Sequence, residues 1–280
     1  MPRAAGLALA AVALLAAAAA FDRDHRIATP ANATPGAAVR HFIVRSAFAP
    51  GARRETLVVP RTWHRGGPLL LWLHARGSTE NSLLTPSFFA ALRHAGARAP
   101  AVLIPSDDRF SFWHDRRGKA WGRYVIDSVL PQALTLSGAS PARVAIGGIS
   151  MGGFGAYNLA RLNPGRFCAV GGHSAAIFTS ASRTLPRAFD GGPDFAQNDL
   201  LAIARANPRG FAGSRLWLDV GSSDPFAAAD RLFAARLRAA HLDVSFHVWP
   251  GRHEAGYWHA HFAEYLRFYS DALATCRRPR

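Results

Sequence analysis

The sequence predicts an α/β protein built on a mostly parallel sheet with helices on both faces. Three observations predict it. Continuous apolar runs of strand length, such as Leu69–Leu73 (LLLWL), read as strands buried on both faces. These runs alternate with longer segments of helical pattern. One run, Val144–Ile149, passes directly through a glycine-rich turn into a helix. The chain has 280 residues, 49% apolar and 18% charged. That is enough for one large core and excludes disorder as the dominant state. With only two cysteines, disulfide-scaffold miniproteins and Cys-rich zinc modules are excluded as well.

The elements follow in order. Met1-Pro2-Arg3 precedes an uncharged run from Ala4 to Ala20. One positive charge, an apolar centre and small residues before Phe21 make the pattern of an export signal. An uncleaved anchor is the alternative. Alanine is only weakly favourable in a bilayer and the run is short for a span. Residues 1–20 are therefore expected to be cleaved, leaving a secreted or envelope protein with no stable membrane insertion. Residues 21–38 read as a flexible Pro/Ala/Thr-rich linker, and residues 39–276 as one domain.

His41–Arg45 and Thr56–Val59 are expected as short early strands, followed by strands at Leu69–Leu73 and Ala101–Ile104. Trp121–Leu136 reads as a helix with Pro131 as a kink or break. Val144–Ile149 is a strand, Met151–Asn163 a helix stopped by Pro164-Gly165, and Phe167–Val170 a strand. Residues 172–214 read as irregular, helical near Asp199–Ala206, and long enough to act as a lid. Leu216–Val220, Pro225–Ala240, Val244–Trp249 and Ala255–Ala274 complete the alternation as strand, helix, strand and long amphipathic helix.

The net charge is +15, from 33 basic against 18 acidic side chains, and Lys119 is the single lysine. The arginines are scattered, with no run of five basic residues and no interleaved aromatic cluster. The charge therefore reads as compositional bias, with no nucleic-acid partner.

The chemistry-bearing residues collect at three strand ends. Gly148-Ile149-Ser150-Met151-Gly152 is a G-x-S-x-G between a strand and a helix, the setting of a turn that thrusts a serine hydroxyl out of a sheet edge. A Walker loop would need a lysine that is absent here. Asp224 follows the second strand and His253 follows the third, in Pro250-Gly251-Arg252-His253. Metal binding fits poorly: His253-Glu254 opens like H-E-x-x-H, but position 257 is tyrosine. A serine hydroxyl needs a histidine to take its proton, and the histidine needs a carboxylate to orient it. Ser150, Asp224 and His253 supply these groups in the order Ser, Asp, His. Asp219, five residues before Asp224, competes as the acid but lies inside its strand. Two backbone N–H groups are also required for the oxyanion. Met151, after the serine, supplies one, and Arg76 is the choice for the other.

The stretches GGISMGGFGA (147–156), GSSD (221–224) and PGRHEAGYW (250–258) resemble the esterase family of the α/β-hydrolase superfamily, which includes esterase D, feruloyl esterases and mycobacterial mycolyltransferases. The resemblance spans roughly residues 40–274. It implies the α/β-hydrolase fold, with Ser150 as nucleophile, Asp224 as acid and His253 as base. It also implies an oxyanion donor in the loop after the third strand. There many relatives have His-Gly-Gly or Asp-Gly-Leu, whereas this chain has His74-Ala75-Arg76-Gly77.

The expected activity is ester hydrolysis of a small-molecule or envelope substrate through an acyl-enzyme, with no cofactor and no metal. Acyl transfer of the mycolyltransferase type would use the same residues, and a non-catalytic envelope-binding protein of the same fold is the alternative from another class. His74, Trp113 and His114 are expected around the substrate. Cys168 and Cys276 fall at the same sheet edge, opposite the active site. Two alternatives stand there: a disulfide, or a buried free Cys168 with a frayed Cys276.

Overall fold

The computed structural model describes residues 36–276. The expected signal, residues 1–20, lies outside the described residues, as does the linker up to residue 35. Four strands come first: β1 (Ala37–Arg45), β2 (Ala52–Pro60), β3 (Leu69–Leu73) and β4 (Ala101–Ile104), with helix α1 (Pro86–Ala95) between the last two. A small hairpin, β5 (Asp115–Arg116) and β6 (Lys119–Ala120), precedes helix α2 (Leu130–Ser137). The chain continues through β7 (Val144–Ile149), α3 (Met151–Leu162), β8 (Ala169–His173), α4 (Gly192–Asn198), α5 (Leu200–Ala206), β9 (Arg215–Gly221), α6 (Ala227–Ala239), β10 (Val244–Trp249) and α7 (Ala255–Thr275).

Eight strands form one sheet in the order β1-β2-β4-β3-β7-β8-β9-β10. The pairs from β4 to β10 are all parallel, and β2 runs antiparallel to β1 and β4. This is the α/β-hydrolase arrangement that the sequence predicts. After β3 the chain adds β4 on one side and later β7 on the other. The order therefore reverses at β3, and the crevice of such a sheet opens at the carboxyl ends of β3 and β7.

β3 shows why the continuous apolar run was needed. Leu69, Leu71 and Leu73 face a core shared with α2, α3 and α6. Leu70 and Trp72 face the opposite core, shared with α1 and α7. Side chains alternate across a strand, so a strand covered on both faces must be apolar at every position. α1 starts cleanly because Thr85 accepts a hydrogen bond from Phe88 N–H and Pro86 occupies the first turn.

Several boundaries differ from expectation. β1 begins at Ala37, so the folded chain starts two residues before Val39. Both early strands are longer than expected, because they pair with each other along nine residues. β8 starts at Ala169, with Cys168 just ahead of it. The 172–214 stretch holds two helices, α4 and α5, where one was expected. Pro131 does not break its helix. The six residues Tyr124–Val129 ahead of it form a π-helical segment, in which Leu130 N–H reaches Val125 C=O. The wider turn comes just before the proline, which has no N–H to donate.

The two cysteines are joined: Cys168 and Cys276 form a disulfide with Cα atoms 5.8 Å apart and a sequence separation of 108. It ties the end of α7 to the start of β8, at the sheet edge away from Ser150. Closing so long a loop stabilises by about 4–5 kcal/mol in the chain-entropy model. The Cys168→Ser/Cys276→Ser variant is expected to lose about 2–5 kcal/mol in urea unfolding, with the hydrogen bonds around Ser150 intact. Equal midpoints with and without the link would show that closure contributes nothing.

A second prediction concerns Glu55 on β2, which is fully buried. Its carboxylate receives hydrogen bonds from Tyr124 Oη (2.5 Å) and from Ser106 N (2.5 Å) and Oγ (3.0 Å). Burial outweighs these bonds and pushes Glu55 up from 4.5 to about 7. The folded state thus holds a proton that the unfolded state releases. This stabilisation is complete below pH 4.5 and is lost as pH rises through about 7, by about 3 kcal/mol in all. Stability measured from pH 5 to 8 should fall along this curve, and Glu55→Gln should remove that slope. An unchanged slope in the variant would exclude Glu55 as its source.

Candidate active site

Ser150 ends β7 and caps α3 with φ +54° and ψ −112°, a left-handed conformation unusual for a residue with a side chain. The surrounding hydrogen bonds hold it there. Ser150 N–H donates to His173 C=O (2.9 Å), and its own C=O accepts from Phe154 N–H and Ala176 N–H, each at 3.0 Å. The flanking glycines are required by space. A Cβ on Gly152 would lie 1.9 Å from the Leu73 carbonyl oxygen, and one on Gly148 would lie 2.4 Å from it. The elbow therefore rests on the end of β3, beside the 74–77 loop.

Asp224 and His253 reach the serine from two neighbouring loops. These loops are tied together by Ser222 N–H to Trp249 C=O (2.8 Å) and Ser223 N–H to Gly251 C=O (2.9 Å). His253 Nδ1 lies 2.8 Å from Asp224 Oδ2, and His253 Nε2 lies 2.9 Å from Ser150 Oγ. Asp224 Oδ1 accepts from Phe226 N–H at 2.8 Å. Burial pushes the Asp224 carboxyl up, but His253, Phe226 N–H and the Ser174 hydroxyl outweigh it and hold it below the usual range. An ionised Asp224 can only accept, so Nδ1 carries the proton and Nε2 accepts from the serine hydroxyl. The His253 ring sits edge-on to Trp258 and Phe226. Trp258 Nε1 in turn donates to Ser174 Oγ (3.1 Å). Ser150, Asp224 and His253 are thus brought together. Ser174 and Trp258 are supporting residues that the sequence reading missed.

Asp219 has a different surrounding. Its Oδ1 accepts from His173 Nδ1 (2.6 Å) and Trp217 Nε1 (2.8 Å), and its Oδ2 from Tyr257 (3.0 Å) and Tyr265 (2.8 Å) hydroxyls. Tyr269 Oη lies 3.0 Å from the other His173 nitrogen. That hydroxyl fits only because Gly147 and Gly171 are bare; a Cβ on either would fall within 2 Å of it. Tyr257, Tyr265 and Tyr269 are spaced by eight and four residues, one face of α7. That spacing is the sequence signal that could have revealed the network.

The residues expected around the substrate are packed into the loops after β3 and β4. His74, Trp113 and His114 are 3%, 0% and 1% exposed, and each is engaged by protein. His74 Nδ1 is 2.9 Å from Ala75 C=O, and its Nε2 is 3.2 Å from Asp107. Burial disfavours the charged His74 ring, but Asp107 outweighs this and raises it. Trp113 Nε1 donates to His74 C=O (3.1 Å), and its ring fills the space over Gly155. His114 lies 3.1 Å from Asp194 and packs on Phe154 and Phe189. It also borders a cavity of about 420 Å³ that includes none of Ser150, Asp224 or His253. These three residues brace the loops after β3 and β4. The 172–214 segment is likewise anchored, through Phe178, Phe189 and Phe195 in a cluster with Phe112 and Phe154.

Comparison with known proteins identifies the family and the fold. The family model described as Putative esterase matches residues 49–269. No curated protein matches the chain. Among solved structures, a ferulic acid esterase superposes with a TM-score of 0.76 at 19% identity, covering 85% of this chain and 98% of that one. An S-formylglutathione hydrolase from Agrobacterium tumefaciens gives 0.74 at 17% identity, with coverage of 87% and 98%. MPT51 of Mycobacterium tuberculosis gives 0.66 at 17% identity, with coverage of 86% and 99%.

The two carboxylates should respond differently to loss of charge. Asp224→Asn is expected to slow the reaction of Ser150 with a fluorophosphonate probe by at least about 100-fold with little change in stability. Asp219→Asn leaves donors without their charged acceptor and should cost about 2–4 kcal/mol in urea unfolding. The opposite assignment of the two phenotypes would make Asp219 the acid.

Proposed function

The chain belongs to the Putative esterase family, and on that premise we propose that it is a secreted serine ester hydrolase working through an acyl-enzyme on Ser150. The observation that carries this reading is the unbroken relay Asp224–His253–Ser150, with contacts of 2.8 and 2.9 Å. Ser150 Oγ attacks the ester carbonyl carbon while His253 Nε2 takes its proton. Asp224 holds the imidazolium in place and balances its charge. The C–O bond to the alcohol then breaks, and His253 returns the proton to the departing alkoxide. Water, activated by the same histidine, attacks the acyl-enzyme and releases the acid.

Met151 N–H and Arg76 N–H are the proposed oxyanion donors. In the 74–78 loop, Gly77 N–H donates to Arg109 C=O (2.8 Å) and Ser78 N–H to Ala75 C=O (3.1 Å), which removes those two from consideration. The Arg76 guanidinium stacks on the Phe110 ring, 4.8 Å from its centroid, and so helps to fix the loop. Export is supported by the pattern of residues 1–20 and by the Cys168–Cys276 link, which suits an oxidising compartment.

A panel of p-nitrophenyl esters with short, long and aryl acyl groups tests this function. The protein should turn over at least one class, and Ser150→Ala should lower that rate by about 10⁴-fold or more. Turnover that survives in Ser150→Ala would overturn the assignment.

A further inference from the structure

At the sheet edge opposite Ser150 lies a cleft of about 300 Å³ that no step of the ester chemistry uses. It forms where β3 and β7 begin, against the last turns of α7. Arg65, Arg98, Arg143, His64, Trp63 and Ser270 are among its lining residues. β7 separates it from Ser150 by about 20 Å of strand.

Three features set this cleft apart. The first is uncompensated charge. Among the described residues, the three arginines meet one carboxylate, Asp271, which pairs with Arg98 at 2.9 Å. Arg143 donates from Nε to Leu273 C=O (3.2 Å). Arg65 lies against Gly138, where a Cβ would fall 2.7 Å from its Cζ. Two guanidinium charges therefore remain without an acidic partner. The second is a stranded donor: Ser270 is 3% exposed and its Oγ has no hydrogen-bond partner. A buried hydroxyl left unmatched is unfavourable, and a ligand acceptor in the cleft would match it. The third is a fixed frame. Gly66 N–H to Gly138 C=O (2.7 Å), Ser140 N–H to Gly67 C=O (2.9 Å) and Leu69 N–H to Arg143 C=O (3.0 Å) bind the two flanking loops to each other.

The geometry points to a phosphate-binding site, in which Arg65 and Arg143 flank a phosphate group and the Ser270 hydroxyl donates to one of its oxygens. Two unmatched positive charges suit a phosphate dianion or diester, and guanidinium groups bind its oxygens in a bidentate manner. The phosphate is either free or carried by a lipid headgroup. The second source has a topological argument: Gly36, where the described chain begins, accepts from Arg61 N–H (2.9 Å) next to Thr62 of the cleft. The N-terminal segment thus joins the domain at this edge, on the side away from Ser150.

Calorimetric titration of the full chain with inorganic phosphate at constant ionic strength, against chloride, tests the site. One saturable site is expected. Arg65→Gln/Arg143→Gln should weaken it by about tenfold or more, and Arg65→Gln alone, at an exposed position, should also weaken it. Ser270→Ala alters no charge and removes an unmatched hydroxyl, so it should fold at least as well and still bind phosphate more weakly. Arg231→Gln removes the same charge elsewhere and should leave binding unchanged, and p-nitrophenyl ester turnover should be unchanged in all four variants. Sedimentation with phosphatidylglycerol/phosphatidylcholine vesicles identifies the source. A loss in Arg65→Gln beyond that in Arg231→Gln marks the headgroup, whereas equal sedimentation marks free phosphate. No saturable phosphate binding, or equal affinities in Arg65→Gln, Ser270→Ala and Arg231→Gln, overturns the proposal.

Discussion

The active site depends on one close approach. The turn carrying Ser150 rests directly on the carbonyl of Leu73 at the end of β3, where neither Gly148 nor Gly152 has room for a methyl group. That contact places the serine at the reversal in strand order between β3 and β7 and brings the loop after β3 beside it. It also accounts for the left-handed backbone of Ser150. The strain of such a residue persists only where its surroundings over-determine it, here through backbone bonds to His173, Phe154 and Ala176.

Around this contact the protein buries three carboxylates in different surroundings. Asp224 is stabilised as an anion by His253, which lies 2.8 Å away. Asp219, five residues earlier, is surrounded by four donors and locks β8, β9 and α7 together. Asp230, fully buried on α6, has only the Ala175 N–H to set against burial. Burial and the facing Asp224 and Asp219 push it well above the usual range, so it is held neutral. A neutral Asp230 leaves the negative charge near His253 on Asp224, where it orients the imidazole. What separates Asp224 from Asp230 is the set of partners that the fold supplies, since both are deeply buried.

The loops after β3 and β4 form the other support. Asp107 is held by Arg109 N–H and Ser111 N–H, and it faces His74. Arg109 reaches back from Nε to Gly77 C=O at 2.7 Å. Ser106, next to Asp107, donates to Glu55. A chain of polar contacts therefore runs from the β2 strand to the loop that flanks the elbow. Protonation of Glu55 is felt there as a change in fold stability, away from the reacting atoms.

By itself the sequence determined the alternation of strands and helices, the full burial of β3 and β4, and the convergence of Ser150, Asp224 and His253 at neighbouring strand ends. These were legible because each depends on local pattern. An apolar run fixes a doubly covered strand, and glycines beside a serine fix a strained turn. The choice of Asp224 over Asp219 was also legible, since only a residue beyond the strand end can reach a histidine on the next loop. The sequence did not determine what His74, Trp113 and His114 do. Aromatic and histidine side chains serve equally as lining or as scaffold, and their partners here, Asp107, the His74 carbonyl and Asp194, are set by packing. The disulfide was left open because the end of α7 cannot be placed without packing. The Asp219–His173–tyrosine network and the arginine cleft join residues that are far apart in the chain. Such partnerships are set by the distance between side chains in space, which local pattern does not carry, so the tertiary structure alone decided them.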